Sequence, residues 1–355
     1  MFELDNRSDW SAGLYPGWSR DGERQITVVF KNAYSYDPHG RVTALTPVPA
    51  LEETERYHGE PGQSSLAAAC ETVPFKDGGE FLLCGTAYPP KAGATVMEIS
   101  VGLRRADDSF WEKTLRLFGP RQWNKGLLGI SASKPAPLES VPLRYEYAYG
   151  GVDPNHADQL CAANPVGCGF SQKGWRVKGM ALPQIEIGPK YITAPTQRVS
   201  PGGYAPLAPF WEPRLEASRQ LDEEAIAWGG CPFGAKAPAG LYNSAPLDQR
   251  FDSPFEGGET LRLKGLIPEA PHSDGTLLQI PAPRPDLKLV AGTRVETLQP
   301  SCDTLTVDTD ARTICLVWRC GIPWNIQEQH RDWLVLRDLD LEEQREAEGA
   351  EEMEA

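Results

Sequence analysis

The sequence predicts a mainly β protein, built as two packed β-sandwich or barrel-like units with long Pro/Gly-rich loops and few helices. The first observation is the content of 34 Gly and 32 Pro in 355 residues, because both residues interrupt helices and favour turns. The second is a series of short apolar or alternating runs bounded by Gly, Pro or Asp, which is the pattern of strands. The third is that only one segment has a good helical pattern, so an all-helical fold is disfavoured.

The first part of the chain is predicted to be an N-terminal β domain over residues 1–125. Its four predicted strands are 25–31, 80–88, 95–103 and 110–118. Residues 126–142 are rich in Gly, Ser and Pro, a composition typical of a connecting segment between domains.

Residues 143–325 are predicted to form a C-terminal β-rich domain. Its later predicted strands are 260–266, 276–281, 286–290, 303–308 and 313–320. In the last of these, alternation places Arg319 on the wetter face. The helical pattern lies in 215–228, where Leu221 and Ala225 are four residues apart and Gly229-Gly230 ends the helix.

The C-terminal extension, 326–355, ends in a strongly acidic tail. Residues 342–355 contain seven Glu and one Arg with few large apolar side chains. Such a segment buries too little apolar surface to offset its ordering entropy. We therefore expect disorder beyond about residue 340, with a short helix induced by a partner as the alternative.

Charge and apolar patterning exclude several classes of function. The net charge of −14 disfavours a general nucleic-acid or anionic-membrane surface, because contacts with phosphates need excess Lys and Arg. There is no signal-peptide pattern and no run of about 18 apolar residues, so the expectation is a cytoplasmic protein without a membrane span. Cys84 and Cys315 lie within apolar runs, where a thiol acts as a small hydrophobic group, so the cysteines are expected to be mostly reduced.

The most informative stretch is 145–170, YEYAYGGVDPNHADQLCAANPVGCGF. Alternation of Tyr145, Tyr147 and Tyr149 predicts a strand with its rings on one face. Gly150-Gly151 permits unusual backbone angles, and 153–155 and 164–167 have the composition of turns. The stretch is therefore predicted to be a shaped loop that follows a buried strand.

The runs YGGVDP (149–154), NPVG (164–167) and GF (169–170) resemble the signature of a bacterial family called domain of unknown function 2169. Further matching pieces occur in order over about residues 20–320, at 85–89, 182–186, 210–214, 243–249 and 257–259. Cys168 stands where the resemblance implies a basic residue, so no anion-binding role is assigned to that position.

The resemblance implies a cytoplasmic, non-enzymatic adaptor or chaperone for a type VI secretion effector. It would bind the effector, at a PAAR-like or N-terminal delivery domain, and promote its stability and loading onto the spike. No cofactor, metal, nucleic acid or membrane is expected, and the oligomeric state stays open. The candidate partner-binding residues are Tyr149, Gly150, Gly151, Asp153, Asn164, Pro165, Gly167, Phe170, Trp211 and Arg214. Of these, Trp211 and Arg214 are expected at the surface, because Pro209 and Pro213 would hold their segment extended.

Two other functions remain open at this point. One is a hydrolase that uses His156 with Cys161 or Cys168, although no GxSxG, Walker or GxGxxG motif accompanies the pair. The same side chains with Asp158 lack the CxxC or HxxxH spacing of common zinc sites. The other is a carbohydrate-binding β-sandwich that uses exposed Trp and Tyr.

Overall fold

A computed structural model describes residues 2–127, 129–174, 176–189, 191–219, 238, 240–270, 274–324 and 332–354, with side chains of the last segment described to residue 346. Its first thirteen strands are β1 (Phe2–Asn6), β2 (Ser11–Trp18), β3 (Arg24–Tyr36), β4 (Val42–Ala44), β5 (Arg56–Tyr57), β6 (Leu66–Ala68), β7 (Gly79–Cys84), β8 (Thr86–Ala87), β9 (Val96–Arg104), β10 (Phe110–Phe118), β11 (Trp123–Gly126), β12 (Gly129–Ala132) and β13 (Val141–Pro142). The others are β14 (Tyr149–Gly150), β15 (Val152–Asp153), β16 (His156–Leu160), β17 (Cys168–Gly169), β18 (Ile185–Ile187), β19 (Arg250–Phe251), β20 (Thr260–Lys264), β21 (Thr276–Gln279), β22 (Pro285–Ala291), β23 (Arg294–Leu298), β24 (Ser301–Asp308), β25 (Thr313–Pro323) and β26 (Asp332–Asp338).

The strands form three sheets of four or more strands. A seven-stranded sheet has the order β19-β7-β24-β25-β3-β2, with β4 paired to β3. A five-stranded sheet has the order β18-β10-β9-β20-β21, and a four-stranded sheet has the order β1-β26-β22-β23. The prediction of a mainly β fold with sandwich-like sheets and few helices is confirmed, and no sheet closes into a barrel within the described ranges.

Both larger sheets take strands from both sides of the predicted boundary at 126–142. In the seven-stranded sheet, β3 pairs with β25 and β7 pairs with β24. In the five-stranded sheet, β9 pairs with β20. The division into two domains stays a prediction, but the sheets themselves are shared by the two predicted units.

The main hydrophobic core lies against the apolar faces of these sheets. Alternation along β25 sends Ile314, Leu316 and Trp318 into this core. The ring of Trp318 stacks on Phe30 of β3 at a centroid distance of 6.0 Å, and Phe30 stacks on Trp10 at 5.6 Å.

The opposite face of the seven-stranded sheet carries buried ion pairs. Lys76 binds Glu80, Lys31 binds Glu71 at 2.7 Å, and Arg319 binds Asp303. The prediction that Arg319 marks the wetter face is wrong. The residue is 5% exposed, because the loops that carry Glu71 and Lys76 cover this face and supply partners for its charges.

Two α-helices are described: α1 (Arg214–Ser218) and α2 (Leu339–Glu354). The predicted helix at 215–228 overlaps α1, and its part beyond residue 219 lies outside the described residues. Helix α2 occupies the tail for which composition predicted disorder. Its first turn is held by Arg284, which donates to Asp340 and Glu343, and by Asp338, which accepts the Asp340 amide at 3.1 Å. Neither helix is long and apolar enough to cross a membrane, as far as the described ranges show.

Candidate functional site

The candidate site begins with a 3₁₀ turn at Tyr145–Tyr147, where the sequence predicted a strand. The strand prediction is wrong because the Ala148 amide donates back to Tyr145 O at 3.1 Å, which closes a turn. Tyr145 and Tyr149 therefore point into different cores. Tyr145 meets Trp211 edge-on in the main core, and Tyr149 contacts Phe170 in a small second core.

Asn164 is the hub of the loop that follows. Its side chain is fully buried, and its Nδ2 donates to Tyr145 O at 2.8 Å and to Tyr149 O at 3.0 Å. Its own carbonyl accepts the Gly151 amide at 2.8 Å. A single amide side chain thus ties the two turns of the signature together.

The glycines of the signature permit a backbone crossing that a side chain would block. Gly151 has φ +91°, and a Cβ there would collide with Gly167 O. A Cβ on Gly167 would collide with Asn164 and lie 2.6 Å from Ala148 O. Parallel pairing of β14 with β17 brings these two segments together. The glycines are therefore required for close backbone approach.

Asp153 caps the turn that joins β15 to β16. Its carboxylate is 1% exposed and accepts the Asn155 amide at 2.8 Å and the Gln172 amide at 2.6 Å. Burial by itself would raise the pKa of this carboxyl, but the two amides outweigh it and lower the pKa. Asp153 is thus a structural anion with its acceptors directed inward.

The second core, which we call the small core, packs against the backbone of the signature. It consists of Trp123, Tyr149, Phe170, Val177, Leu182 and Ile192. Arg198 covers the Phe170 ring at 4.6 Å and donates to Ser171 O at 2.8 Å. Two short ribbons start from this core: β11–β12 begins at Trp123, and β15–β16 follows Tyr149.

The ribbons expose apolar side chains. Val152 and Leu160 face each other across β15–β16 and are 46% and 48% exposed. Leu127, at the tip of β11–β12, is fully exposed. Sequence reasoning missed all three. For Val152 and Leu160, the available signal was an apolar residue at each end of a short, mostly polar stretch.

Most of the predicted partner-binding residues lie inside the molecule. Tyr149, Gly150, Gly151, Asp153, Asn164 and Phe170 are buried, while Pro165 and Gly167 are half-buried. The structure brings these eight together in one loop, where they position the β15–β16 ribbon. Their role in binding a partner stays a prediction.

The expectation that Trp211 and Arg214 lie at the surface is wrong. Trp211 is fully buried, and Arg214 donates to Leu207 O at 2.7 Å and to Glu55 at 3.1 Å. The segment is not extended: the Trp211 amide donates to Ala208 O in a turn that leads into α1. The exposed ring is the neighbouring Phe210, which is 40% exposed and stacks on Tyr57.

The hydrolase alternative depends on His156 with Cys161 or Cys168, and the structure separates the first of these pairs along the chain. His156 begins β16 and Cys161 follows its last residue, so five steps of extended chain separate their Cα atoms by about 16 Å. Burial raises the pKa of the Cys161 thiol and raises that of Cys168 to about 11, whereas a nucleophile needs a lowered pKa. Within the described ranges, no three His, Cys, Asp or Glu side chains are grouped closely enough to hold a metal ion.

Comparison with protein families shows which family the chain resembles over most of its length. Residues 21–319 match the family described as "Uncharacterized protein conserved in bacteria (DUF2169)". The match covers most of the 355 residues, so the chain belongs to this family. Neither the curated proteins nor the solved structures gave a match.

Proposed function

We propose that this chain is a non-catalytic adaptor or chaperone that binds a type VI secretion effector. It would bind at the effector's PAAR-like or N-terminal delivery domain and promote its stability and its loading onto the spike. Such work needs a rigid body with an apolar surface that covers a partner segment, and it needs no turnover. The type VI assignment itself rests on the resemblance of the signature.

The observation that carries the proposal is how the signature residues are used. Asn164 Nδ2 and the Asp153 carboxylate bond to backbone groups, and the Gly151 amide donates to Asn164 O, so these polar atoms are occupied within the fold. What the signature presents to solvent is the β15–β16 ribbon with its Val152–Leu160 pair. A rigidly held apolar pair suits contact with a protein, because little entropy is lost when it is covered.

The same geometry disfavours the two alternatives. A hydrolase would need His156 in contact with a cysteine of lowered pKa, whereas β16 separates His156 from Cys161 and burial raises the pKa of Cys168. Carbohydrate binding would use exposed Trp rings. Trp10, Trp123, Trp211 and Trp318 are instead buried, and among the described tryptophans only Trp333 is strongly exposed.

The test is co-expression of the tagged chain with proteins encoded beside its gene, followed by pull-down and mass analysis. The wild-type chain should retain one effector as a stoichiometric complex. The double variant Val152→Ser, Leu160→Ser should lose at least tenfold in affinity, because a buried apolar pair contributes about 1.5–3 kcal/mol per side chain at full burial. Both positions are exposed, so the variant should fold normally.

The matched control is Leu277→Ser, Val295→Ser, which alters two exposed apolar residues outside the signature. This control should retain the effector as the wild type does. Failure of the wild-type chain to retain any co-expressed effector, or consumption of a substrate that depends on His156 and Cys161, would refute the adaptor function.

A further inference from the structure

A cavity lies away from the signature, where the seven-stranded and four-stranded sheets meet. It has a volume of about 630 Å³ and is bounded by β3, the end of β4, the 281–283 loop and the start of α2. Its apolar lining comes from Trp10, Tyr34, Leu45, Val48 and the two prolines Pro281 and Pro283. We call this feature the acidic groove because of its rim.

The rim carries four carboxylates: Asp9, Asp338, Asp340 and Glu343. No Lys, Arg or His is among the described residues that line the cavity. Outside the lining, Arg284 pairs with both Asp340 and Glu343, and Arg345 lies 3.5 Å from Asp9. Two cations thus face four anions, and the groove keeps a negative charge.

Asp338 contributes most directly to this excess of negative charge. It has no cationic partner among the described residues, and it accepts the amides of Asp340 and Leu341 at the start of α2. Its pKa is raised, first by burial and then by the charges of Asp340 and Asp9. Burial beside two other carboxylates makes the charge of Asp338 costly, and a cationic ligand would reduce that cost.

The floor of the groove offers a hydrogen-bond donor beside these acceptors. Asn32 donates to the Tyr34 hydroxyl at 2.8 Å, and Asn32 Oδ1 accepts from Trp318 at 3.1 Å. The Tyr34 oxygen is therefore fixed as an acceptor, and its hydrogen is directed away from Asn32. A peptide carbonyl in the groove would accept that hydrogen.

From this combination we infer that the acidic groove binds a basic, extended segment of a protein partner, with Lys or Arg side chains on the carboxylates and apolar side chains against the floor. The occupant is a peptide segment because the cavity combines an apolar floor, a hydroxyl donor and separated anions. The inference rests on the proposed function in one respect: the bound segment is taken to belong to the effector that the adaptor carries, its cargo.

One wall of the groove lies outside the span that matches the family. Residues 32–48 and 281–283 are within 21–319, whereas Asp9, Trp10 and 338–344 are outside it. Three of the four rim carboxylates are on α2 or at its start, and the fourth precedes β2. The charges that select the segment thus belong to this chain and not to the family signature, which fits recognition of one particular cargo.

The experiment measures binding of a short fluorescent peptide in which lysine and leucine alternate, by anisotropy with the full chain. The groove variant is Asp9→Asn, Asp338→Asn. Asn caps a helix as well as Asp does, so α2 keeps its start. Binding should weaken about tenfold, because the variant removes two of the four carboxylates that would pair with the lysines of the peptide. The matched control is Glu60→Gln, Glu139→Gln, which changes net charge equally at exposed positions.

The control variant should bind like the wild type, and a twin peptide with glutamine in place of lysine should bind at least tenfold more weakly. Equal weakening in both variants would show attraction to the overall negative charge and would overturn the groove. So would unchanged binding in the groove variant. If the co-expressed cargo is retained equally by wild type and groove variant, the groove is refuted while the adaptor function stands. If the peptide binds the groove but no cargo is retained, the groove inference stands and the adaptor function is refuted.

Discussion

At the scale of single residues, Asn164 does the most to hold the signature together. Asn164→Ala removes the donor to Tyr145 O and Tyr149 O and leaves a void at a fully buried position. We expect the free energy of unfolding to fall by about 2–4 kcal/mol, from the two lost hydrogen bonds, the Tyr149 carbonyl left without its Asn164 donor, and lost packing. Urea unfolding followed by fluorescence measures this loss.

Asn124→Ala is the matched control, because Asn124 is exposed on β11. It should change stability by less than about 0.5 kcal/mol. A loss for Asn164→Ala as small as that of the control would contradict the role of Asn164 as a hub.

The buried pair Lys76–Glu80 predicts how stability depends on pH. Burial by itself would raise the pKa of Glu80, but Lys76 and the Ala245 amide lower it from 4.5 to about 2. Because the folded pKa is the lower one, this group stabilises the protein fully above about pH 4.5. The contribution, on the order of 3 kcal/mol, is lost as pH falls toward about 2.

The double variant Lys76→Met, Glu80→Gln removes both charges and tests this linkage. Urea unfolding at a series of pH values between 7 and 2 should give a flatter stability profile for the variant than for the wild type. Stability at neutral pH decides nothing here, because replacing a buried ion pair with neutral groups is often close to neutral. Profiles of equal slope would show that Glu80 is not the titrating group.

Local chemistry made some of these residues predictable and hid others. The turn role of Asp153 follows from its carboxylate, and that of the glycines follows from their lack of a Cβ. The positions of Trp211 and Arg319 depend on what covers them: a turn that carries Trp211 inward, and loops that bring Glu71 over the sheet. The groups that pack on these side chains, Tyr145 on Trp211 and the Glu71 loop on Arg319, are distant in sequence, so a single stretch does not reveal them.

At the scale of elements, the β15–β16 ribbon depends on the crossing at Gly151. Gly151→Ala should destabilise the protein by about 2 kcal/mol more than Gly179→Ala, as measured by urea unfolding. Both glycines have φ near +90° (+91° and +81°), so both variants share the backbone strain. Only at Gly151 would the added Cβ meet backbone, since nothing lies within 4 Å of a Cβ at Gly179.

Similar losses in the two variants would mean that conformational strain alone matters and that the crossing of the two segments relaxes freely. A binding experiment separates the cases further. By linkage, cargo that binds the ribbon should stabilise Gly179→Ala as much as it stabilises the wild type, and Gly151→Ala less, because a distorted crossing lowers the affinity of the ribbon for cargo.

Strands were predicted well where apolar alternation was uninterrupted and missed where it was not. The predicted strand at 110–118 has the bounds of β10, and 313–320 lies within β25. Strand β2 was missed because Gly13, Pro16 and Gly17 interrupt its pattern. It forms nonetheless because β3 offers a complete neighbouring edge, with pairing from Ser11 to Trp18.

At the scale of the whole molecule, the order of strands in the sheets was beyond prediction from the sequence. Local patterns give strands but not partners, and here β7 runs parallel to β24, more than two hundred residues away. The acidic groove was hidden for the same reason, since its walls come from both ends of the chain. Its acidic residues were visible only as part of the net charge.

Interleaving of the sheets predicts that the chain folds as one cooperative unit, and not as the two predicted domains in isolation. A fragment of residues 1–125 contains β3 and β7 without β25 and β24, so two interior strands would each expose an unpaired edge. We expect this fragment and residues 126–355 each to be unfolded or aggregated alone, and to form a native-like complex when co-expressed. Circular dichroism and size-exclusion chromatography measure both states.

The intact chain should unfold with coincident fluorescence and circular dichroism transitions. A fragment 1–125 that unfolds cooperatively by itself would establish an independent N-terminal domain, and the shared sheets would then be an interface between two folded units.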